Sequence, residues 1–297
     1  MAITREDGII PFDNILNFRD VAQHINHLTS RQILKPGLLY RSARPDGATP
    51  ADKKQLTENL KIKTIFDLRT PTEHIESRKK HASSPMPPAP GLAAKDPQRP
   101  FRINEIEYVD VNLNGDAYTN ALLHHLTWPQ TLRLYGLYAL GYRKDAIAIL
   151  AANVMAPRGL SGLAIDTLTH SGAHIAAIFS LLSEDPTFPV LIHCTQGKDR
   201  TGLIVLLVLL LCGVPDEAIE ADYMASQAGL ARERTEKVAE VRGIGLPEGF
   251  ADCEVGWVGR VRGWIEEGWG GVEAYLESIG VGADARERVR ANLLASS

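Results

Sequence analysis

An α/β fold, with a central and mainly parallel sheet flanked by helices, is predicted from three observations. Short apolar runs alternate with helical patterns through the first hundred residues. A further apolar strand, Phe188 to Ile192, runs straight into a turn and a helix. Beyond Gly202 every segment carries helical periodicity. With 297 residues, 44% hydrophobic and 23% charged, the chain can bury a sizeable core. It is expected to form one catalytic domain.

Leu38 to Ser42 (LLYRS) reads as the first strand of the rhythm, and Thr49-Pro50 followed by DKKQLTENL as a capped helix start with proline at its first position. Lys63 to Arg69 (KTIFDLR) is the next strand, its apolar centre bounded by charge. His81 to Pro100 holds six prolines and no apolar period, so it reads as an irregular, exposed excursion. Glu105 to Leu113 (EIEYVDVNL) returns the chain to the sheet. Ala117 to Ala156 is helix-rich, with apolar faces at three-to-four spacing, and forms an insertion ending near Pro157-Arg158-Gly159. A helix from Gly172 to Leu182 precedes the strand Phe188 to Ile192. Residues 203–297 complete the chain as helices, with Trp257, Trp264 and Trp269 at near-helical spacing for a core face.

A net charge of -4 and a pI near 6.2 leave no global basic field to draw in nucleic acid or an anionic membrane, so any anion-binding site must be local and nucleic acid is not an expected partner. Cys194, Cys212 and Cys253 contain no C-x-x-C pair and favour neither a disulfide framework nor a zinc site, which fits a reducing, cytoplasmic setting; the first eleven residues lack a signal peptide's apolar core. The most apolar run, Leu203 to Cys212, is far shorter than the roughly 20 residues of a membrane helix, and no stable membrane insertion is expected.

The chemistry concentrates in Val190 to Leu203 (VLIHCTQGKDRTGL). A cysteine at the end of a strand and just before a helix sits where unpaired backbone N–H groups and the positive end of the helix dipole converge, which stabilises a thiolate nucleophile at Cys194. The amides of Thr195, Gln196, Gly197, Lys198, Asp199 and Arg200 can wrap a dianionic phosphate as a concave nest, with Gly197 allowing the close turn. Arg200 supplies two parallel N–H donors to two phosphoryl oxygens, a fork that lysine cannot reproduce. Thr201 is placed to donate to the sulfur, and His193 to brace the loop. A chance match to these six fixed residue types is expected roughly once in 10^4 to 10^5 chains of this length. A nucleotide-binding Walker loop is excluded, because Gly197-Lys198 is followed by Asp199 and no glycine lies five residues before Gly197. Neither a cofactor nor a metal is required by this constellation. Cys212 and Cys253 read as packing residues.

At these residues the sequence resembles the protein tyrosine phosphatase superfamily, with its H-C-x5-R-[ST] hallmark, and within it a microbial and fungal branch bearing H-C-x-x-G-K-D-R-T-G. Asn17-Phe18-Arg19-Asp20, Leu39-Tyr40-Arg41-Ser42 and Asp67-Leu68-Arg69 extend the resemblance over most of the chain. It implies phosphomonoester hydrolysis on phosphotyrosine, phosphoserine/threonine or phosphoinositides. It also implies that Asp199 is the general acid, that Lys198 meets inositol headgroups, and that Ala117 to Ala156 covers the site as a helical lid. For Lys198 a solvated surface charge, and for the lid a plain packing subdomain, are equal readings. Asp116, after the strand EYVDVNL, and Asp67, at the end of its strand, are reserve acids. Arg19, Arg41 and Arg69 are expected in structural ion pairs. A protein tyrosine or dual-specificity phosphatase is the leading function, followed by a phosphatase for phosphoinositides or another small phosphate ester. An inactive phosphate-binding adaptor is the reading from a different class.

Overall fold

The computed structural model describes residues 6–82 and 101–295. Its sheet has five strands: β1 (Arg19–Asp20), β2 (Leu39–Ser42), β3 (Thr64–Asp67), β4 (Glu107–Asp110) and β5 (Val190–His193). Their spatial order is β1-β2-β5-β3-β4, parallel throughout except for the short edge strand β1, which runs against β2. The last strand in sequence therefore lies at the centre, between β2 and β3. Ligands of open parallel sheets gather at the carboxyl ends of the strands where the order switches, and β5 delivers Cys194 to that place.

Strand side chains alternate between two cores, as the two-residue period requires. Leu39, Phe66, Val190 and Ile192 enter the larger one with α1 (Val21–Thr29), α8 (Gly172–Leu182) and α9 (Asp199–Leu211). Tyr40, Ile65 and Leu191 enter a smaller one, closed by Phe18, Leu56 and Ile62. Leu203 through Leu209 of α9 are all essentially buried. A helix apolar all round belongs inside a core, and α9 runs there with its N-terminus at the site. Helices α10 (Asp216–Gly229), α11 (Arg234–Gly243), α12 (Trp257–Trp269), α13 (Val272–Ser278) and α14 (Ala283–Leu293) complete the helical third. Trp257 is fully buried there, with Trp264 and Trp269 packed partly against the same core.

The predicted cap at Thr49 is present: its hydroxyl accepts from the Asp52 amide, Asp52 reciprocates, and Pro50 opens α2 (Pro50–Lys54). Two helices depart from the expectation. Helix α3 (Pro71–Ala82) takes in His81 and Ala82 from the stretch read as irregular; the remainder of that stretch, 83–100, lies outside the described residues. Its polar sequence, PTEHIESRKKHA, carries little apolar period to betray it. Helix α7 (Ala156–His170) continues where Pro157 and Gly159 were read as an end. Only Gly159 leaves helical geometry, at φ 65°, and the helix resumes at once.

The segment Ala117 to Ala156 forms α4 (Asp116–His124), α5 (Trp128–Ala139) and α6 (Arg143–Leu150), joined through a π-helical turn, Ala151–Met155, to α7. These helices enclose a cluster of their own around Tyr118, Leu122, Leu134, Ala146 and Ile149. The combined stretch Arg143–His170 is long and apolar enough to cross a membrane by length and composition, which the sequence reading had not identified. Gly159 interrupts it, and Asp166 inside it pairs with Arg158.

Candidate active site

The loop between β5 and α9 is shaped by where its carbonyls are held. The Thr195 carbonyl accepts from the Arg44 amide and from Arg44 Nη1, both at 3.2 Å. Asn17 Nδ2 donates to the carbonyls of Gln196 and Gly197, each at 3.1 Å. Arg41 Nη2 donates to Gly197 O at 2.8 Å and Lys198 O at 3.3 Å. Four consecutive carbonyls thus point outward into the fold. In a planar trans peptide the N–H points opposite to the C=O, so the amides of Gln196, Gly197, Lys198 and Asp199 turn to the other side, that of the cysteine. The Gly197 amide donates to Cys194 Sγ at 3.2 Å, as this geometry requires.

The pieces that pull the carbonyls back are themselves tied down. Arg19 and Arg41 are register partners on β1 and β2, and two cations directly opposite each other repel. Asp222 of α10 lies between them, accepting from Arg19 Nε at 2.7 Å and Arg41 Nη1 at 2.5 Å, with all three side chains buried. Burial opposes ionisation of Asp222, but the two guanidiniums outweigh it and hold the carboxyl far below the usual range. Arg19 Nη1 in turn holds Asn17 Oδ1 at 2.7 Å. Arg19 and Arg41 are therefore structural, as expected, and act on the loop through Asn17 and directly.

Gly197 has φ 65°, and a Cβ there would lie 2.0 Å from the Ser42 carbonyl oxygen. The loop rests on β2 at this point and leaves no room for a side chain. Cys194 is 3% exposed. Behind it, His193 is fully buried; its Nδ1 lies 3.1 Å from the Cys194 carbonyl and its Nε2 3.6 Å from Asp67. One ring nitrogen of His193 thus reaches the loop at the Cys194 carbonyl, while Nε2 has no hydrogen-bond partner among the described residues. Burial lowers the basicity of this imidazole, and neighbouring Asp67 works in the opposite direction. The Thr201 hydroxyl is buried in the first turn of α9 and has no hydrogen-bond partner among the described residues.

Arg200 is held from one side only. Nη1 donates to Leu68 O at 3.1 Å and to Glu73 Oε2 at 2.7 Å, while Nη2 donates to Glu73 Oε1 at 2.5 Å. Glu73 also accepts from the Thr195 hydroxyl and from the Thr70 amide. Nε and one hydrogen of Nη2 remain, which is the other bidentate edge of the guanidinium. Burial pushes the Glu73 carboxyl up, yet Arg200 and the hydrogen bonds to it outweigh burial and bring it down to about 2. The stability this pair contributes is full above the carboxyl's ordinary value of 4.5 and is lost only as pH falls toward about 2. Glu73 was missed from sequence, although Thr70-Pro71-Thr72-Glu73 is a capping-box pattern, and the box forms at the start of α3.

Other predicted site residues fall differently. Asp199 opens α9 beside the loop, its side chain 41% exposed; its Oδ1 is buried without a hydrogen bond among the described residues and lies 3.7 Å from the Lys198 ammonium, an ion pair within the loop. Asp116 is exposed at the first position of α4. Asp67 does not fit a reserve acid: Arg69 donates to both its oxygens. Burial is outweighed by the charges of His193 and Arg69, so the carboxyl stays ionised. It supports His193 instead. Lys198 also departs from a substrate-binding role. Its side chain is buried, and its ammonium donates to the carbonyls of Phe250 at 3.1 Å and Asp252 at 2.6 Å. It ties the loop to the segment before α12 rather than presenting a free cation. Gln196, also expected at the substrate, is 7% exposed.

Asp67, His74 and Asp110 could bring oxygen and nitrogen atoms together around a cation. Arg69 and Arg102 already neutralise the two carboxylates. Burial pushes the thiols of Cys212 and Cys253 up to about 12 and about 11, so neither offers a competing thiolate.

Four amides turned to the cysteine side, with an arginine fixed beside them, form an arrangement that could bind an oxyanion next to the Cys194 sulfur. The sequence matches the tyrosine phosphatase family over residues 10–295. The chain belongs to that family. It is 26% identical to the triple specificity protein phosphatase PtpB of Mycobacterium tuberculosis over 296 residues, which span 94% of this chain and 96% of that protein. It is 33% identical to a tyrosine-protein phosphatase of Nostoc commune over 146 residues, which span 46% of this chain and half of that protein. As a member of the tyrosine phosphatase family, the chain is a phosphatase.

For this phosphatase, Lys198→Met is expected to lower stability by roughly 2 kcal/mol, because two carbonyls lose a charged donor, while KM for a small aryl phosphate stays unchanged. Thermal melting and steady-state kinetics on the same preparation check this. A raised KM with unchanged melting would instead put the ammonium on the substrate.

Proposed function

We propose that the chain hydrolyses phosphomonoesters through a cysteinyl-phosphate on Cys194, acting as a protein tyrosine or dual-specificity phosphatase. The observation that carries this reading is the convergence of the Gln196, Gly197, Lys198 and Asp199 amides on the Cys194 side of a loop whose carbonyls are all held outward.

In the first step the Cys194 thiolate attacks phosphorus in line with the ester oxygen. The S–P bond forms as the P–O bond breaks. The amides and the open Nε/Nη2 edge of Arg200 take the equatorial oxygens, whose charge is spread in the transition state. Asp199 protonates the departing oxygen, since it is half-exposed at the loop and, unlike Asp67, is not committed to arginine. In the second step water attacks phosphorus and gives its proton to the Asp199 carboxylate. The S–P bond breaks, with Thr201 donating its free hydroxyl to the leaving sulfur, and inorganic phosphate departs. Every bond made and broken is accounted for by groups of this chain, the ester and water.

Phosphoinositide hydrolysis is the weaker reading here. The family resemblance also implies it, but Lys198, expected at inositol headgroups, has its ammonium taken by two backbone carbonyls. Acid quenching during turnover of a radiolabelled phosphotyrosyl peptide is expected to trap one labelled phosphate on Cys194, located by peptide mapping. Turnover without a trapped thiophosphate, in a preparation where Asp199→Asn also fails to change product release, would remove the proposed mechanism. Faster turnover of inositol phosphates than of any phosphopeptide would move the substrate assignment.

A further inference from the structure

Helix α5 is apolar on two opposite faces. Leu134 and Leu137 turn inward to the cluster shared with α4 and α6. On the other side Trp128, Leu132 and Tyr135, at i, i+4 and i+7, form a bare stripe, with Trp128 76% and Leu132 60% exposed. At the hairpin tip between α5 and α6, Leu140 is 74% exposed and Tyr142 stands beside it, also exposed. An amphipathic helix of a water-soluble surface carries polar residues on its outer face; this one carries aromatic and aliphatic groups.

The charge around the stripe selects what covers it. Between Trp128 and Ile147 the chain has Arg133, Arg143 and Lys144 against the single acid Asp145, a local excess of two positive charges in a chain of net charge -4. All four charged residues are exposed, and none makes an ion pair among the described residues. Arg143 stacks over Tyr138, 5.5 Å from the ring centroid. Packing two such surfaces together in a dimer would bring like charges into contact. Aromatic rings and aliphatic side chains flanked by Lys and Arg instead suit the headgroup boundary of an anionic bilayer, where the rings enter the interface and the cations meet lipid phosphates.

We propose that the α5–α6 hairpin docks the protein on anionic lipid surfaces, lying in the interface rather than crossing it. The α4 end of the same segment borders the candidate site: Tyr118 lies close enough to Arg200 and Asp199 for their charges to act on its hydroxyl. Docking would therefore hold the site near the membrane surface and its phosphorylated groups.

Co-sedimentation with phosphatidylcholine vesicles, with and without phosphatidylserine, tests this on the full chain. Wild-type protein is expected to bind vesicles containing phosphatidylserine and to be released by salt. Trp128→Ser with Leu140→Ser is expected to weaken binding at least about tenfold, as burial of two large apolar groups is lost. Arg143→Glu with Lys144→Glu is expected to weaken it at least about tenfold by charge alone. Unchanged melting and unchanged turnover of a soluble aryl phosphate would show that the folded enzyme is intact in both variants. Absence of binding to anionic vesicles, or equal binding by the variants, overturns the proposal. So does a wild-type dimer that the apolar variant dissolves, which would make the stripe a self-association face. Altered turnover of the soluble ester without vesicle binding overturns it too, by showing that the stripe closes over the site.

Discussion

Gly197→Ala is expected to lower kcat/KM for an aryl phosphate by at least about 10^3, with the protein still folded. The added Cβ would sit 2.0 Å from Ser42 O and 2.3 Å from the carbonyl carbon, backbone atoms at the end of β2, which is paired on both sides and cannot retreat. The residue also occupies φ 65°, where a side chain is strained whatever the space. The loop must lift, and lifting breaks the contacts from Asn17 and Arg41 to the Gly197 carbonyl. Displacing a reacting group by about 1 Å costs on the order of 10^2 in rate, and losing one oxyanion donor costs on the order of 10^2 to 10^3. Steady-state kinetics, together with a near-wild-type melting curve, would establish that the loss is local. Activity within about tenfold of wild type would mean that the amides are not the oxyanion-binding device.

The second large effect is on stability. Asp222→Asn is expected to destabilise the fold by about 3–5 kcal/mol, since it leaves Arg19 and Arg41 buried beside one another with no compensating charge. Because Asp222 is held ionised in the folded state, its contribution is present above the ordinary aspartate value of 3.8 and is lost as pH falls below it. Chemical denaturation at neutral pH should therefore show the full difference between wild type and variant, and the difference should shrink in acid. Phosphatase activity should fall in parallel even below the unfolding transition, because Arg41 also orients the Gly197 and Lys198 carbonyls. A variant as stable as wild type would show that the two arginines find other partners.

What could be read from sequence follows the range of the interactions. His193, Cys194, Gly197 and Arg200 lie within eight consecutive residues, so their spacing alone describes the turn from β5 into α9 and the proposed nucleophile within it. Asp222 carries no local mark. It lies in an ordinary helical stretch, and its meaning arises only when α10 packs across β1 and β2, some two hundred residues away in sequence from Arg19. Asn17 stood in a quoted motif, but its task depends on the loop folding back over it. Glu73 was legible as half of a capping box, though no local rule says that a cap will also anchor an arginine from another element. Lys198 misled for the opposite reason: a cation in a phosphate-binding loop suggests phosphate, whereas the Phe250 and Asp252 carbonyls that hold its ammonium come from a distant segment. Helix α7 was cut short because Pro157 and Gly159 are terminators by local rule, yet Pro157 sits in the first turn of α7, where it is tolerated, and Gly159 alone absorbs the break.

In the proposed mechanism Cys194 is the nucleophile of a phosphomonoesterase whose chemistry comes from its own side chains and amides. Release of inorganic phosphate from an aryl phosphate in excess chelator, comparing wild type with Cys194→Ser, tests it most directly. Turnover by the wild type is expected to withstand chelation, with none above background in the variant, whose hydroxyl is far less ionised than a thiol at neutral pH. Turnover that persists in Cys194→Ser, or that chelation abolishes in the wild type, would contradict it.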